Sequence, residues 1–201
     1  MTSTSMTGAG ELRVVTLNLW GEQGPLATRL RLCQEQLAAL SADVIALQEV
    51  RKIPGRLPNT AQTLAEALGY QHVFAPAVEW GGGVEGLAIL SRLPLVRHRH
   101  HPLPHENIRG GERRVLLRAD VRHPGGVVAV FCTHLNYRLK HGVQREDQVE
   151  VIDQHINAAL AEGSAEGDPP RLAILMGDFN ATPESDEIRF LKGLHSLRGA
   201  R

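Results

Sequence analysis

Aromatic residues are scarce in this chain: four Phe, two Trp and two Tyr make up 4% of 201 residues. So thin a supply predicts no stacking platform of the kind that holds single-stranded nucleic acid. Net charge is lacking too, because 22 basic side chains offset 22 acidic ones. A general attraction to polyanions or to an anionic membrane is not implied, and any basic character has to be local. Only two cysteines occur, Cys33 in a predicted helix and Cys132 in a predicted strand. They read as buried, reduced thiols, and no Cys and His cluster has zinc spacing. No apolar run is long enough to span a membrane. The first ten residues, Met1–Gly10, are small and polar. They lack the basic start and apolar stretch of a secretion signal, so they read as a flexible tail and the protein as cytoplasmic.

What remains is ordinary globular composition, 42% hydrophobic and 22% charged. The length suits one domain, over residues 11–201, with its own core. Glu11 to Leu19 reads as a strand ending at Asn18. Leu26, Leu30, Cys33, Leu37 and Leu40 share one face of a helix over 26–40. Asp43 to Leu47 is a short buried strand. Thr60 to Leu68 is a helix closed by Gly69. Tyr70 to Ala75 and Leu87 to Ser91 are strands on either side of a flexible loop at Gly81, Gly82 and Gly83.

Over 113–133, Val115, Leu117, Ala119 and Val121 alternate with charged residues. A second β-rich run, Val127 to Cys132, follows Pro124, Gly125 and Gly126, so the stretch is a hairpin. A helix follows over about 143–161, then a strand over 172–176, then a short helix from Pro183 to about Leu191. His98, His100, His101 and His105, beside Pro102 and Pro104, read as an irregular exposed loop and not as a metal patch. Helices mixed with an antiparallel hairpin argue for an α+β fold in layers, not a doubly wound parallel sheet.

Polar residues recur where apolar strands stop: Asn18, then Gln48 and Glu49, then Thr133 and His134, then Asp178 and Asn180. Side chains at strand ends are rigid and can converge on one cleft. Carboxylates, amides and a histidine make a coherent set, and their hard oxygen ligands suit Mg²⁺ or Mn²⁺. Singly, each has a plainer reading: a strand stop, a surface glutamate, a structural histidine, a capping turn before the Pro183 helix.

Their order is more specific. Val15-Thr16-Leu17-Asn18-Leu19, Ile45-Ala46-Leu47-Gln48-Glu49-Val50, Leu87-Ala88-Ile89-Leu90-Ser91-Arg92, Cys132-Thr133-His134-Leu135 and Met176-Gly177-Asp178-Phe179-Asn180-Ala181 occur in succession. The series resembles the signatures of the endonuclease/exonuclease/phosphatase superfamily. That group includes pancreatic-type deoxyribonucleases, apurinic endonucleases, neutral sphingomyelinases and inositol polyphosphate phosphatases. The resemblance implies a four-layer α/β/β/α sandwich of the deoxyribonuclease I-like type. It also implies hydrolysis of a phosphate ester, most simply a phosphodiester, by water with Mg²⁺ (or Mn²⁺).

By that resemblance Glu49 is the metal ligand, with Asn18 beside it assisting metal and phosphate. Asp178 orients or activates the attacking water. Asn180 holds a phosphate oxygen, and His134 stabilises the phosphoryl oxygens or protonates the leaving group. Glu85, placed in a loop before the Leu87 strand, orients the histidine. Arg114 either meets substrate phosphate or is a solvent-facing hairpin charge. The substrate is a nucleic acid or a small or lipid-derived phosphodiester; the neutral charge and few aromatics favour the small or lipid ester. No protein partner is implied.

The family's closing Ser-Asp-His signature has no counterpart before Arg201. The chain therefore reads as a form truncated at the C-terminus, short of strands, with an exposed sheet edge and without the general-base pair. Its other reading is a catalytically impaired or inactive phosphate-binding member of the same fold.

Overall fold

The structure is a computed structural model that describes residues 10–105, 112–162 and 169–197. Almost all of the predicted tail lies outside the described residues. Twelve elements follow in the order β1 (Val14–Asn18), α1 (Leu26–Leu40), β2 (Val44–Lys52), α2 (Thr60–Leu68), β3 (Gln71–Trp80), β4 (Gly83–Ser91), β5 (Leu95–Leu103), β6 (Arg114–His123), β7 (Gly126–His134), α3 (Gly142–Leu160), β8 (Leu172–Asp178) and α4 (Asp186–Leu191). Both long early helices fall where the apolar spacing places them. Asn59 starts α2 by accepting the N–H groups of Ala61 and Gln62 at 3.0 and 3.3 Å. Gly69 ends it in the left-handed conformation at φ 70°.

The strands form two four-stranded sheets, ordered β1-β2-β4-β3 and β5-β6-β7-β8. The β1–β2 and β7–β8 pairs are parallel and the rest antiparallel. Three apolar clusters make four layers. Val44, Ala46, Leu87, Ile89, Val115, Leu117, Val128 and Val130 fill the space between the sheets. Leu37, Leu64 and Ala65 pack α1 and α2 against the outer face of the first sheet. Leu116, Phe131, Val149 and Ile152 pack α3 on the outer face of the second. The alternating side chains of β6 and β7 serve both clusters, as a strand buried on two faces requires. The α/β/β/α sandwich expected from the family resemblance is the fold observed. Among the described residues β1 and β8 each pair on one side only, at the same end of the two sheets. No helix there is long and apolar enough to cross a membrane.

Several assignments change, and β3 runs on from its predicted end at Ala75 to Trp80. The histidine stretch is not an irregular loop: His98, His100 and His101 lie in β5, paired with Ala119, Leu117 and Leu116 of β6. An edge strand tolerates Pro102, because a proline costs a ladder hydrogen bond only on a side that needs one. Strands β2 and β4 run past their predicted ends, so Glu49 sits within β2 and Glu85 within β4. The last helix begins at Asp186, with Ser185 as its cap, and not at Pro183.

Candidate active site

Two register breaks build one end of the first sheet. Pairing of β2 with β4 shifts between Leu47 and Val50, and pairing of β3 with β4 shifts between Pro76 and Val78. Such bulges re-aim side chains. Gln48 turns inward, where its amide meets Thr16 Oγ1 at 3.1 Å and Cys132 Sγ at 3.3 Å. Glu49 adopts φ 52°, a strained value for a residue with a Cβ, and its side chain reaches the cleft. Between the two bulges lies Glu85. Its neighbour Gly86 has to be glycine, because a Cβ there would stand 2.0 Å from the Ala75 carbonyl oxygen.

The second sheet supplies the facing groups. Gly177 lets β8 close against β7, since a Cβ there would lie 2.3 Å from the Thr133 carbonyl oxygen. That approach puts Asp178 Oδ2 3.8 Å from His134 Nε2. Asn180 takes φ 49° and donates its backbone N–H to Asp178 Oδ1 at 3.1 Å. Its side-chain amide reaches the Leu135 carbonyl at 3.0 Å. Asn18 joins the sheets: its Nδ2 donates to Glu49 Oε1 at 2.9 Å and to Asp178 Oδ2 at 3.0 Å. Both partners are acceptors only, so the amide has one possible orientation, and both its donors are used. Asn18 Oδ1 accepts the Trp20 N–H at 2.8 Å.

The geometry therefore brings together the residues to which the family resemblance gives roles, while Gln48 and Thr133 are buried. Glu49, Glu85, Arg114, His134, Asp178 and Asn180 line one cleft of about 410 Å³. Asn18, Asp178 and Asn180 also border a second hollow of about 510 Å³, with Thr16, Phe179 and Lys192. Arg114 is not a solvent-facing hairpin charge. It is 7% exposed, bonds Glu112 Oε2 at 2.6 Å, and leaves its buried Nε without a partner. Nor is Glu85 a loop glutamate, being held in β4 with the Trp80 indole N–H donating to it at 3.3 Å.

Charge in the cleft is unevenly met. Burial and the neighbouring Glu49 carboxylate hold the Glu85 carboxyl above its usual range. Burial and then the Arg114 cation push the His134 imidazole well below its usual range, against the pull of Asp178. That shift favours the neutral form of His134 at pH 7. A site with two mutually repelling carboxylates invites a cation.

Gly21, at φ 52°, faces this pair: a Cβ there would sit 3.5 Å from Glu85 Oε2 and 3.8 Å from Glu49 Oε2. Among the described residues no three His, Cys, Asp or Glu side chains gather into a metal cage. A sparse set of oxygen donors suits Mg²⁺ or Mn²⁺, which keep several waters and use one or two carboxylates plus substrate phosphate. It does not suit zinc, which wants a closed set of nitrogen or sulfur ligands.

Sequence reasoning missed the aromatic lining. Low aromatic content predicted no stacking surface, yet Trp80 and Tyr137 are walls of the cleft. Composition counts residues over the whole chain and is blind to their gathering in one place.

A model of the endonuclease/exonuclease/phosphatase family matches residues 15–198. No curated protein sequence matches the chain. Among solved structures, the human nocturnin catalytic domain with bound sulfate is similar at 25% identity and a TM-score of 0.72, over 92% of this chain and 69% of that one. An endonuclease/exonuclease/phosphatase from Beutenbergia cavernae is similar at 26% identity and TM-score 0.67, over 86% of this chain and 48% of that one. TDP2 of D. rerio, complexed with single-strand DNA product, is 24% identical at TM-score 0.66, over 92% and 66%. The chain thus spans between about half and seven-tenths of these structures. The matched residues and the fold agree: the chain belongs to the endonuclease/exonuclease/phosphatase family.

Proposed function

We propose that this chain hydrolyses a phosphate ester, a phosphodiester in the first instance, by metal-assisted attack of water within the cleft between the two sheet ends. The observation that carries the reading is the Asn18 bridge. One amide holds a carboxylate from each sheet, Glu49 and Asp178, at 2.9 and 3.0 Å, so metal-facing and water-facing acids are fixed in relation to each other. Positioning of this kind supplies much of the rate in phosphoryl chemistry.

In this reading Glu49 would hold Mg²⁺ (or Mn²⁺), assisted by Asn18 and Glu85. The ion, when bound, neutralises charge that develops on the phosphoryl oxygens. Asp178 accepts a proton from the attacking water or orients it. The Arg114 guanidinium, with its unpartnered Nε, and the second N–H of the Asn180 amide donate to non-bridging oxygens. His134, whose neutral form burial favours, gains affinity for a proton as negative charge builds on the phosphodiester beside it. It can then stabilise the leaving oxygen. Glu85 sits where its charge can tune that change.

The test is hydrolysis of methyl p-nitrophenyl phosphate with Mg²⁺ and with EDTA, for wild type, Glu49→Ala and Asp178→Ala. Metal-dependent turnover that falls at least about 100-fold in both variants supports the reading. A wild type that binds Mg²⁺ through Glu49 but turns nothing over makes it a phosphate-binding member instead.

A further inference from the structure

Only two tryptophans and two tyrosines occur in the chain. Three of the four stand exposed at the end of the sandwich that carries the cleft. Trp20 is 58%, Trp80 41% and Tyr137 52% exposed. They come from three separate segments. Trp20 lies two residues after Asn18, Trp80 ends β3, and Tyr137 lies three residues after His134.

Each ring also has an arginine over it. Arg29 lies 5.5 Å from the Trp20 centroid, Arg51 3.7 Å from Trp80, and Arg138 5.6 Å from Tyr137. Scattered exposed aromatics need no explanation, but three guanidinium-backed rings around one acid and histidine cluster do.

Trp80 is the most firmly built. Arg51, fully buried, stacks on the indole and donates to the Trp80 carbonyl at 2.8 Å. Two of its nitrogens, Nε and Nη1, have no partner. Burying a guanidinium so poorly satisfied is costly, and what it does accomplish is to hold one aromatic plane still at the cleft wall. The indole N–H is tied to Glu85 at 3.3 Å, which fixes the ring's rotation. Tyr137 lines the same cleft of about 410 Å³, a size that suits a nucleotide-sized ligand.

A rigid indole and a phenol beside phosphate-binding groups match one ligand chemistry: a flat heterocycle joined to a phosphate. An alkyl phosphate or lipid headgroup has no plane to stack. A base within a duplex keeps its faces against its neighbours and cannot offer one. We propose that Trp80 and Tyr137 form a stacking subsite for an unpaired nucleobase linked to the phosphate in the cleft. The proposal rests on the phosphoester-hydrolase reading above and narrows its substrate to a nucleobase-bearing ester.

A Trp20→Phe background leaves Trp80 as the single indole, so its fluorescence reports the subsite alone. Titration with AMP is expected to quench it saturably, and ribose 5-phosphate is not. Tyr137→Ala is expected to weaken AMP binding about 10- to 100-fold. A short oligodeoxynucleotide that binds more than about 10-fold tighter than AMP would place an unpaired strand along the rim. Equal binding would place a mononucleotide there, and both support the subsite.

Equal responses to AMP and ribose 5-phosphate, or no response to either, would overturn it. In parallel, kcat/KM with Mg²⁺ is compared for thymidine 5′-p-nitrophenyl phosphate and methyl p-nitrophenyl phosphate. A preference for the thymidine ester that collapses in Tyr137→Ala supports the proposal. Hydrolysis of both with no preference ends the subsite and leaves the hydrolase reading intact. Stacking of AMP with no hydrolysis ends the hydrolase reading and leaves the subsite.

Discussion

Glu49 should harm stability without metal and help it with metal, and replacing it by glutamine separates the two effects. Asn18 Nδ2 touches Glu49 Oε1 and Asp178 Oδ2 at 2.9 and 3.0 Å, so the two oxygens lie within about 6 Å of each other. Two unit charges at that distance repel by about 3 kcal/mol at an effective dielectric constant near 20, and by about 0.7 kcal/mol in bulk water. Asp178 has a side chain 32% exposed, so the lower half of that range applies, about 1 kcal/mol. Glu85, whose carboxyl pKa is raised by burial and then by the Glu49 charge, adds to the repulsion.

Glutamine keeps an acceptor for the Asn18 amide and removes only the charge. Glu49→Gln should therefore raise the melting temperature in EDTA, by about 2–4 °C for a domain of this size. With Mg²⁺ at about 100 times its Kd, the wild type should gain about 2.7 kcal/mol and the variant almost none. Thermal unfolding followed by circular dichroism, with and without metal, reads both arms. A variant that melts lower in EDTA, or that keeps the Mg²⁺ shift, would refute the placement of a cation at Glu49.

Gly177→Ala would force the Thr133 carbonyl oxygen back by about 1 Å and displace Asp178 from His134, costing about 100-fold in kcat with substrate binding less affected; steady-state kinetics on methyl p-nitrophenyl phosphate would show it. Arg145 and Glu187 form a buried ion pair at 2.5 Å between α3 and α4. Arg145→Met strands the glutamate and should cost about 3–5 kcal/mol in urea unfolding, while adding Glu187→Leu should recover most of it. The folded-state pKa of His134 lies below its unfolded value of about 6.5, so the associated stability is intact above that pH. It is lost progressively as pH falls from there through the folded value of about 4. Urea unfolding at pH 7.5 and pH 5 should show that loss in the wild type and a shallower one in His134→Asn.

Much of the fold was legible because its signals are local. The stripe of Leu30, Cys33 and Leu37 marks α1, and Asn59 with Gly69 brackets α2. Strand β5 was hidden because histidines and prolines have weak strand preference, and its pairing partner Leu116 is non-local. The polar strand ends pointed to Asn18, His134, Asp178 and Asn180, which the fold then gathers. Position alone could not give Glu49 its left-handed turn or Glu85 its place inside β4. Both depend on bulges set by neighbouring strands, which no local pattern encodes. Arg114 looked like one more alternating charge, and only packing of the second sheet shows it buried beside His134.

The most direct test of the central claim is a single-turnover hydrolysis of methyl p-nitrophenyl phosphate in ¹⁸O-labelled water with Mg²⁺, by wild type and Asp178→Asn. Water positioned by Asp178 for attack at phosphorus predicts one labelled oxygen in the released methyl phosphate. It also predicts that this product is nearly absent from the variant. Label in the nitrophenol, or equal yields from both proteins, would contradict it.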